Sequence, residues 1–202
     1  MVDVSDNASV AALAYEAADA LGDIDILVNN ASIFEYDNIH TATRESWDRH
    51  IGSNLRAPFM LTQAFAAQMP EADSDANGER IATGLVVNMV DQRVEKLTPE
   101  FMTYTIAKMG LWAFTQAAAQ ALALHIRVNA IAPGPTVIGA RQTPEHFARQ
   151  RAATILERGA NPEDVVAALA YFVDAPAVTG QLICVDGGQH LGWRTPDIIG
   201  RD

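Results

Sequence analysis

Apolar positions along the chain fall into two alternating rhythms. Val10, Leu13, Ala17 and Leu21 recur at helical spacing behind a capping Ser5 or Asp6, and Gly22 follows as a stop. Next, "DIDILVNN" is a short apolar run ending in polar residues, the pattern of a strand buried on both faces. From Thr43 to Met69 the helical rhythm returns, and the polar segment "PEADSDANGE" reads as a loop before a second strand in "IATGLVVNM". A long helix over "PEFMTYTIAKMGLWAFTQAAAQALAL", a third strand in "IRVNAIAPG", helices beginning near Pro144 and Pro162, and a last strand in "GQLICVDGG" complete the series. Strands alternating with helices predict an α/β fold, a parallel sheet covered on both faces, in a single domain over residues 1–202 without internal repeat or linker.

Composition narrows the function classes. At 202 residues the chain can hide roughly 70% of its unfolded surface, enough for a single-domain enzyme. A net charge of −11 with no basic patch argues against nucleic acid or an anionic membrane as partner. No apolar run approaches the roughly 20 residues of a membrane span, and "MVDVSDNASV" lacks the marks of a signal peptide. Cys184 is the single cysteine, so no internal disulfide forms; a reducing, cytoplasmic location is expected. His40, His50, His125 and His190 stand without ligand spacing, and no metal site is expected.

The stretch "YTIAK" carries the candidate chemistry. Tyr104 and Lys108 stand at i and i+4 of the long helix, so both side chains leave one face, where the ammonium favours the ionised phenol. By itself that spacing more often marks a solvated surface pair. Its context decides: "LVNNAS", "SNLRAPF", "VVNM", "YTIAK", "IRVNAIAPGP" and "TGQLICVDGG" follow in the order and spacing of the short-chain dehydrogenase/reductase family, which the chain resembles nearly end to end. The resemblance implies a Rossmann-type sheet, NADP(H) or NAD(H) as cofactor, and hydride transfer to or from carbon of a small-molecule substrate. It makes Tyr104 the proton donor and Lys108 the residue that lowers its pKa and holds the nicotinamide ribose. Asn54 matches the asparagine that supports a proton-relay water; it also reads as a helix-kinking amide that binds a carbonyl, and the two roles are compatible. Asn30, Ala31 and Ser32, with Pro133, Gly134 and Thr136 of "APGPT", fall at cofactor-binding positions. Trp112 and Phe114 lie where the family builds a helix–helix face in dimers or tetramers, although core packing explains them as well. Arg141, His146 and Arg149 occupy the substrate-loop region, either reaching an anionic tail or forming a solvated basic face.

One position departs from the family. The usual catalytic serine stands thirteen residues before the tyrosine, and here that position is Asp91. A carboxylate there repels the alkoxide formed on ketone reduction unless it is protonated, whereas it suits a substrate rich in N–H and amidine groups. The substitution resembles that of the pteridine reductases, as does "NNASIF" with serine followed two residues later by an aromatic. By that resemblance Phe34 stacks on a pterin while Asp91 and Tyr104 contact it; otherwise Phe34 plugs the edge of the core.

The family's opening strand and glycine-rich turn, T-G-x-x-x-G-x-G, which receives the cofactor pyrophosphate, has no counterpart in the 202 residues. "VDVSD" resembles the end of the family's third strand, which makes Asp3 and Val4 the adenine-side candidates. Against a βαβ unit of about 30 residues, the portion not matched is on the order of fifty residues, the first two strands and most of the third. The expectation is a partial Rossmann domain whose "ILVNN" strand presents an unpaired edge, with a carbonyl reductase or a non-catalytic interaction subunit as alternatives to a pterin reductase.

Overall fold

The computed structural model describes residues 7–139 and 142–195. Asp3, Val4 and Arg141 lie outside them. Helix α1 (Asn7–Leu21) leads into strand β1 (Ile26–Asn29), then α2 (Arg44–Ile51), a π-helical turn (Gly52–Arg56) and α3 (Ala57–Ala66). Short strands β2 (Asp73–Ser74) and β3 (Arg80–Ile81) precede β4 (Gly84–Met89), a 3-10 turn (Gln92–Val94) and the 20-residue α4 (Met102–Ala121). Strand β5 (Ile126–Pro133), α5 (Pro144–Ala152), α6 (Pro162–Asp174) and β6 (Leu182–Val185) follow. The expected architecture is therefore present, a parallel four-stranded sheet in the order β1-β4-β5-β6.

The sheet is held by apolar layers on both faces. Side chains alternate along a strand, so Val86 of β4 packs with Phe65, Ala118, Ala119 and Val128 on the α3 and α4 side. Its neighbours Leu85 and Val87 face the other way, against Ala168 and Phe172 of α6 and Ile131 of β5. Trp112 and Phe114 are partly buried against these layers, and Phe114 also meets Phe59 at 5.1 Å, so the core accounts for much of both rings.

Among the described residues several buried polar side chains are paired across elements, while Thr105 Oγ1 and Gln92 Oε1 have no hydrogen-bond partner. Asn29 Nδ2 donates to Asn88 Oδ1 at 2.8 Å, and Asn88 Nδ2 donates to Thr115 Oγ1 at 2.9 Å, which ties β1, β4 and α4 together at the carboxyl ends of the strands. The segment read as a plain loop instead carries β2 and the turn of an antiparallel β2–β3 pair, and Ile81, read as the start of the next strand, belongs to β3, with β4 beginning at Gly84. Its turn is built by Asp75, whose side chain accepts from the amides of Asn77 and Glu79 while Gly78 takes a positive φ of 79°. Local turn chemistry made a hairpin where periodicity was too short to register. Strand β1 pairs with β4 on one side only among the described residues, and Ile26 and Val28 are each 38% exposed.

Behind β5, the chain passes Gly134 against Asp186 so closely that an added Cβ would lie 2.6 Å from Asp186 Cβ. Gly134→Ala is therefore expected to destabilise the fold by roughly 1–3 kcal/mol through overpacking, as a lower midpoint in urea unfolding. A midpoint equal to wild type would show that the β5–β6 end relaxes to admit a methyl group.

Candidate active site

Tyr104 is the third residue of α4 and Lys108 stands one turn later, both facing the carboxyl end of β4. They are 6% and 2% exposed, so the solvated-pair reading is excluded. Lys108 Nζ donates to the carbonyl oxygen of Met89, the last residue of β4, at 2.7 Å and lies 5.7 Å from the Tyr104 ring centroid. Just beyond β4, Asp91 divides its carboxylate between two tasks. Oδ1 accepts from the Arg93 amide at 2.8 Å and caps the 3-10 turn, while Oδ2 accepts from the Tyr104 hydroxyl at 3.0 Å.

An aromatic wall closes one side of this pair. Phe34 lies parallel to Phe101, with centroids 4.3 Å apart at 12°, and meets Tyr104 edge-on at 4.7 Å. Tyr36 meets Phe101 edge-on at 5.3 Å, and the Arg93 guanidinium sits 4.8 Å above Phe101 and 6.0 Å above Phe34. Arg93 is anchored by Thr98 at 2.7 Å and stands 4.0 Å from Asp91. Phe101 adopts φ 58° and ψ 49°, the left-handed region that a bulky side chain rarely occupies, at a cost of about 1–3 kcal/mol. Phe34 is 48% exposed, so it is no core plug; it forms the open face of the wall.

The loop carrying Ser32 and Phe34 is stapled by Asn54. From the π-helical turn its Oδ1 accepts from the Ile33 amide and its Nδ2 donates to the Ile33 carbonyl, both at 2.9 Å. This is the carbonyl-binding role of the kinked helix, and both ends of the amide are used by it. Asn30 and Ala31 lie at the end of β1, where an open groove of about 920 Å³ runs along that strand between α1 and α3. Pro133 ends β5, Gly134 donates its amide to Val185 at 2.9 Å, and the Thr136 hydroxyl turns back to the Gly134 carbonyl at 3.1 Å. The groove reaches Asn30 and Ala31 but is not lined by Tyr104 or Asp91.

Electrostatics set the protonation states. Burial pushes the Asp91 carboxyl above its ordinary value, against the pull of the Arg93 amide and guanidinium, the Tyr104 hydroxyl and Lys108. Tyr104 is held well above the usual phenol range, first by burial and then by the charge and hydrogen bond of Asp91; Arg93 and Ser32 act the other way. Lys108 is pushed down to about 8 by burial, with Asp91 opposing. Asp91, more than Lys108, thus governs the phenol, a reversal of the lysine-dominated expectation that follows from the carboxylate in contact with the hydroxyl. The arrangement can hold a neutral phenol as proton donor, beside a carboxylate able to receive N–H groups or a proton.

The remaining candidates separate from this cluster. His146 and Arg149 lie exposed on α5, consistent with a solvated basic face. His190 Nδ1 is 2.7 Å from Asp186 Oδ2 and His125 is 3.8 Å from Glu71. Among the described residues no group of three or more His, Cys, Asp or Glu is placed to hold a metal. Periodicity gave no sign of Phe101 or Arg93, whose roles arise from one left-handed residue and a short turn. His50, 0% exposed, was visible only as a histidine without ligand spacing.

The model of a protein family described as "Enoyl-(Acyl carrier protein) reductase" matches residues 1–190. A putative ketoacyl reductase of granaticin polyketide synthesis from Streptomyces violaceoruber is 32% identical over 196 residues, 94% of this chain and 75% of that protein. A probable galactose dehydrogenase from Rhizobium meliloti is 33% identical, over 89% and 70% respectively. Among solved structures, FolM alternative dihydrofolate reductase 1 from Brucella canis, complexed with NADP, superposes with a TM-score of 0.89 at 44% identity, covering 98% of this chain and 75% of its own. A blue fluorescent protein from a metagenomic library, in complex with NADPH, gives 0.81 at 29% identity. This chain belongs to the short-chain dehydrogenase/reductase family of NAD(P)-dependent oxidoreductases.

Proposed function

We propose that the site reduces a pterin-like ring, a dihydropteridine, dihydrofolate or dihydromonapterin, with NADPH. The observation that carries this reading is the 3.0 Å contact between the Tyr104 hydroxyl and Asp91, in place of the usual hydroxyl pair. A ketone places developing negative charge where Asp91 stands, and a carboxylate there raises the barrier. An aminopyrimidine ring instead presents N–H donors, which the carboxylate accepts, and ring nitrogens that take up a proton. Phe34 supplies an apolar face for such a ring. The 44% identity to FolM dihydrofolate reductase with NADP supports the same substrate class.

The residues present fit the nicotinamide end of the cofactor. Lys108 Nζ is buried and donates only to the Met89 carbonyl among the described residues, so two of its N–H groups remain for ribose hydroxyls. Bound there, NADPH supplies hydride to a ring carbon. Tyr104 holds the proton that the adjacent ring nitrogen takes up, Asp91 accepts ring N–H groups and so orients the ring, and the phenol regains its proton from solvent after the product leaves. Each reduced C=N bond thus gains one hydride and one proton. Asn30, Ala31, Ser32, Pro133, Gly134 and Thr136 frame the remainder of the nicotinamide side. Exposed Ile106 and Met109 on α4 suit a face through which copies pair as a dimer or tetramer, and a single cysteine suits a reducing cytoplasm.

NADPH oxidation with dihydrobiopterin and dihydrofolate, compared with ketone substrates, tests the reading, run on the chain and on a form extended upstream in frame. Pterin turnover that falls roughly 10²–10⁴-fold in Tyr104→Phe, and by a similar factor in Asp91→Ser, is expected. Ketone turnover exceeding pterin turnover in the unaltered protein would overturn it. In the same assay kcat/KM should decline as pH rises through about 8, where Lys108 loses its charge. Residual activity of Lys108→Arg should lack that limb, because a guanidinium stays charged; an unchanged limb would assign it to another group.

A further inference from the structure

Helix α4 begins without a cap of its own. Phe101 at its N-cap is an aromatic in the left-handed region and provides no side-chain acceptor for the first amides. The acceptor is Asp37, 64 positions before Phe101. The carbonyl of Asp37 accepts from the amides of Phe101 at 2.7 Å and Met102 at 3.3 Å, and its carboxylate Oδ1 accepts from the amide of Thr103 at 3.1 Å. Three consecutive amides at the start of α4 thus converge on one buried residue, 2% exposed. A carboxylate at this end of the helix also meets the favourable end of its dipole.

Asp37 is itself held on every side. Its Oδ2 accepts from the Thr103 hydroxyl and stands 3.1 Å from the Ser46 hydroxyl of α2. His50 completes the cluster. Its Nε2 accepts from the Glu35 amide at 3.2 Å, which leaves the proton on Nδ1 to be donated to Thr103 Oγ1 at 2.7 Å. The network spans the loop that carries Ser32 and Phe34, helix α2, and the turn of α4 that carries Tyr104. It lies directly behind the site, with the His50 and Tyr104 rings 6.0 Å apart.

We propose that Asp37, locked by Thr103, Ser46 and His50, is the positioning residue of this site: it caps α4 from outside the helix and thereby sets where Tyr104 stands relative to Asp91 and Phe34. The left-handed turn at Phe101 follows from the same capture, because it turns the chain so that amides 101–103 face Asp37 while the ring lands on Phe34. The link to catalysis rests on the pterin-reductase reading; the capping itself does not. The network is also acid-sensitive. Burial lowers the His50 pKa against the pull of Asp37, Glu35 and the Ser46 backbone, with Arg49 adding to the lowering; among the described residues these are the charged groups that face it from the loop and α2, and α4 presents Thr103 and Tyr104. A depressed histidine contributes fully above the ordinary value near 6.5 and loses its contribution as pH falls through the folded value. A proton on Nε2 would face the Glu35 N–H.

Hydrogen exchange by mass spectrometry on the whole chain, beside steady-state kinetics with NADPH and dihydrobiopterin, tests the proposal. Asp37→Ala and Thr103→Val should raise exchange at least tenfold in peptides covering residues 30–38 and the first turn of α4, leaving β4 and β5 protected. Thr103→Ser should restore the wild-type pattern. In wild type the same peptides should open as pH falls below the ordinary histidine range, after correction for intrinsic rates, which requires no variant to fold. In the assay kcat should fall about 10- to 100-fold in Asp37→Ala, the scale of a misplacement near 1 Å, with KM for NADPH within twofold of wild type. Exchange rising uniformly over the chain, or unchanged at 101–103, overturns the proposal. Local opening in a protein that turns over no pterin upholds the capping role and overturns the substrate reading alone.

Discussion

The bond between Lys108 Nζ and the Met89 carbonyl fixes the relation of helix to sheet on which the site depends. It joins α4 to the last residue of β4 at 2.7 Å, inside a region where Lys108 is 2% exposed. An ammonium so placed has no water to solvate it, which is why its pKa drops to about 8. The Met89 carbonyl and the nearby Asp91 carboxylate recover part of that cost. With the helix so docked, Tyr104 one turn earlier arrives at the residue two positions past the strand. The geometry of the candidate site is thus a consequence of strand register, since Asn88 and Met89 are set by pairing with Ala130 and Ile131 of β5.

How far this was legible from sequence depended on whether a feature was periodic or tertiary. Tyr104 and Lys108 share a helix, so spacing alone places them on one face, and Asp91 is found by counting from Tyr104. The strands β1, β4, β5 and β6 are apolar runs in the sequence; β4 and β5 are covered on both faces, whereas Ile26 and Val28 of β1 are exposed. The β2–β3 hairpin was missed because its strands are two residues each and its turn depends on Asp75 and a left-handed Gly78. The second layer of the site escaped for a different reason. Asp37 and Thr103 are 66 positions apart, and neither the capping of α4 nor the burial of His50 leaves a local pattern. Ordinary capping rules look for Ser, Thr, Asp or Asn at the N-cap itself, and at that position the sequence has Phe101.

The same contrast separates the two ends of the cofactor site. The side proposed for the nicotinamide is built from strand ends and α4, all within the described residues. The phosphate side needs a helix amino terminus with a glycine-rich turn, and no described segment provides one. Along β1, Ile26 and Val28 are exposed beside the groove of about 920 Å³, an apolar strand edge of the kind that proteins cover with further structure. This chain covers 75% and 76% of the FolM alternative dihydrofolate reductase 1 chains from Brucella canis and Brucella suis that were crystallised with NADP.

Electrostatics explain why a carboxylate at position 91 is tolerated at all. Alone, a buried carboxylate against a buried phenol would drive both toward their neutral forms, and both shifts run in that direction. The balance is restored by cations on two sides. Lys108 lies behind the phenol ring, and Arg93 stands 4.0 Å from the carboxylate while resting on Phe101. Arg93 therefore serves two elements at once, keeping charge near Asp91 and stacking on the wall that includes Phe34. A serine at this position would need no such cation, and the aromatic–guanidinium wall would lose its electrostatic purpose. The departure from the family at one residue is thus coupled to a set of neighbours, Arg93, Phe101 and Phe34, that make a carboxylate chemically useful there.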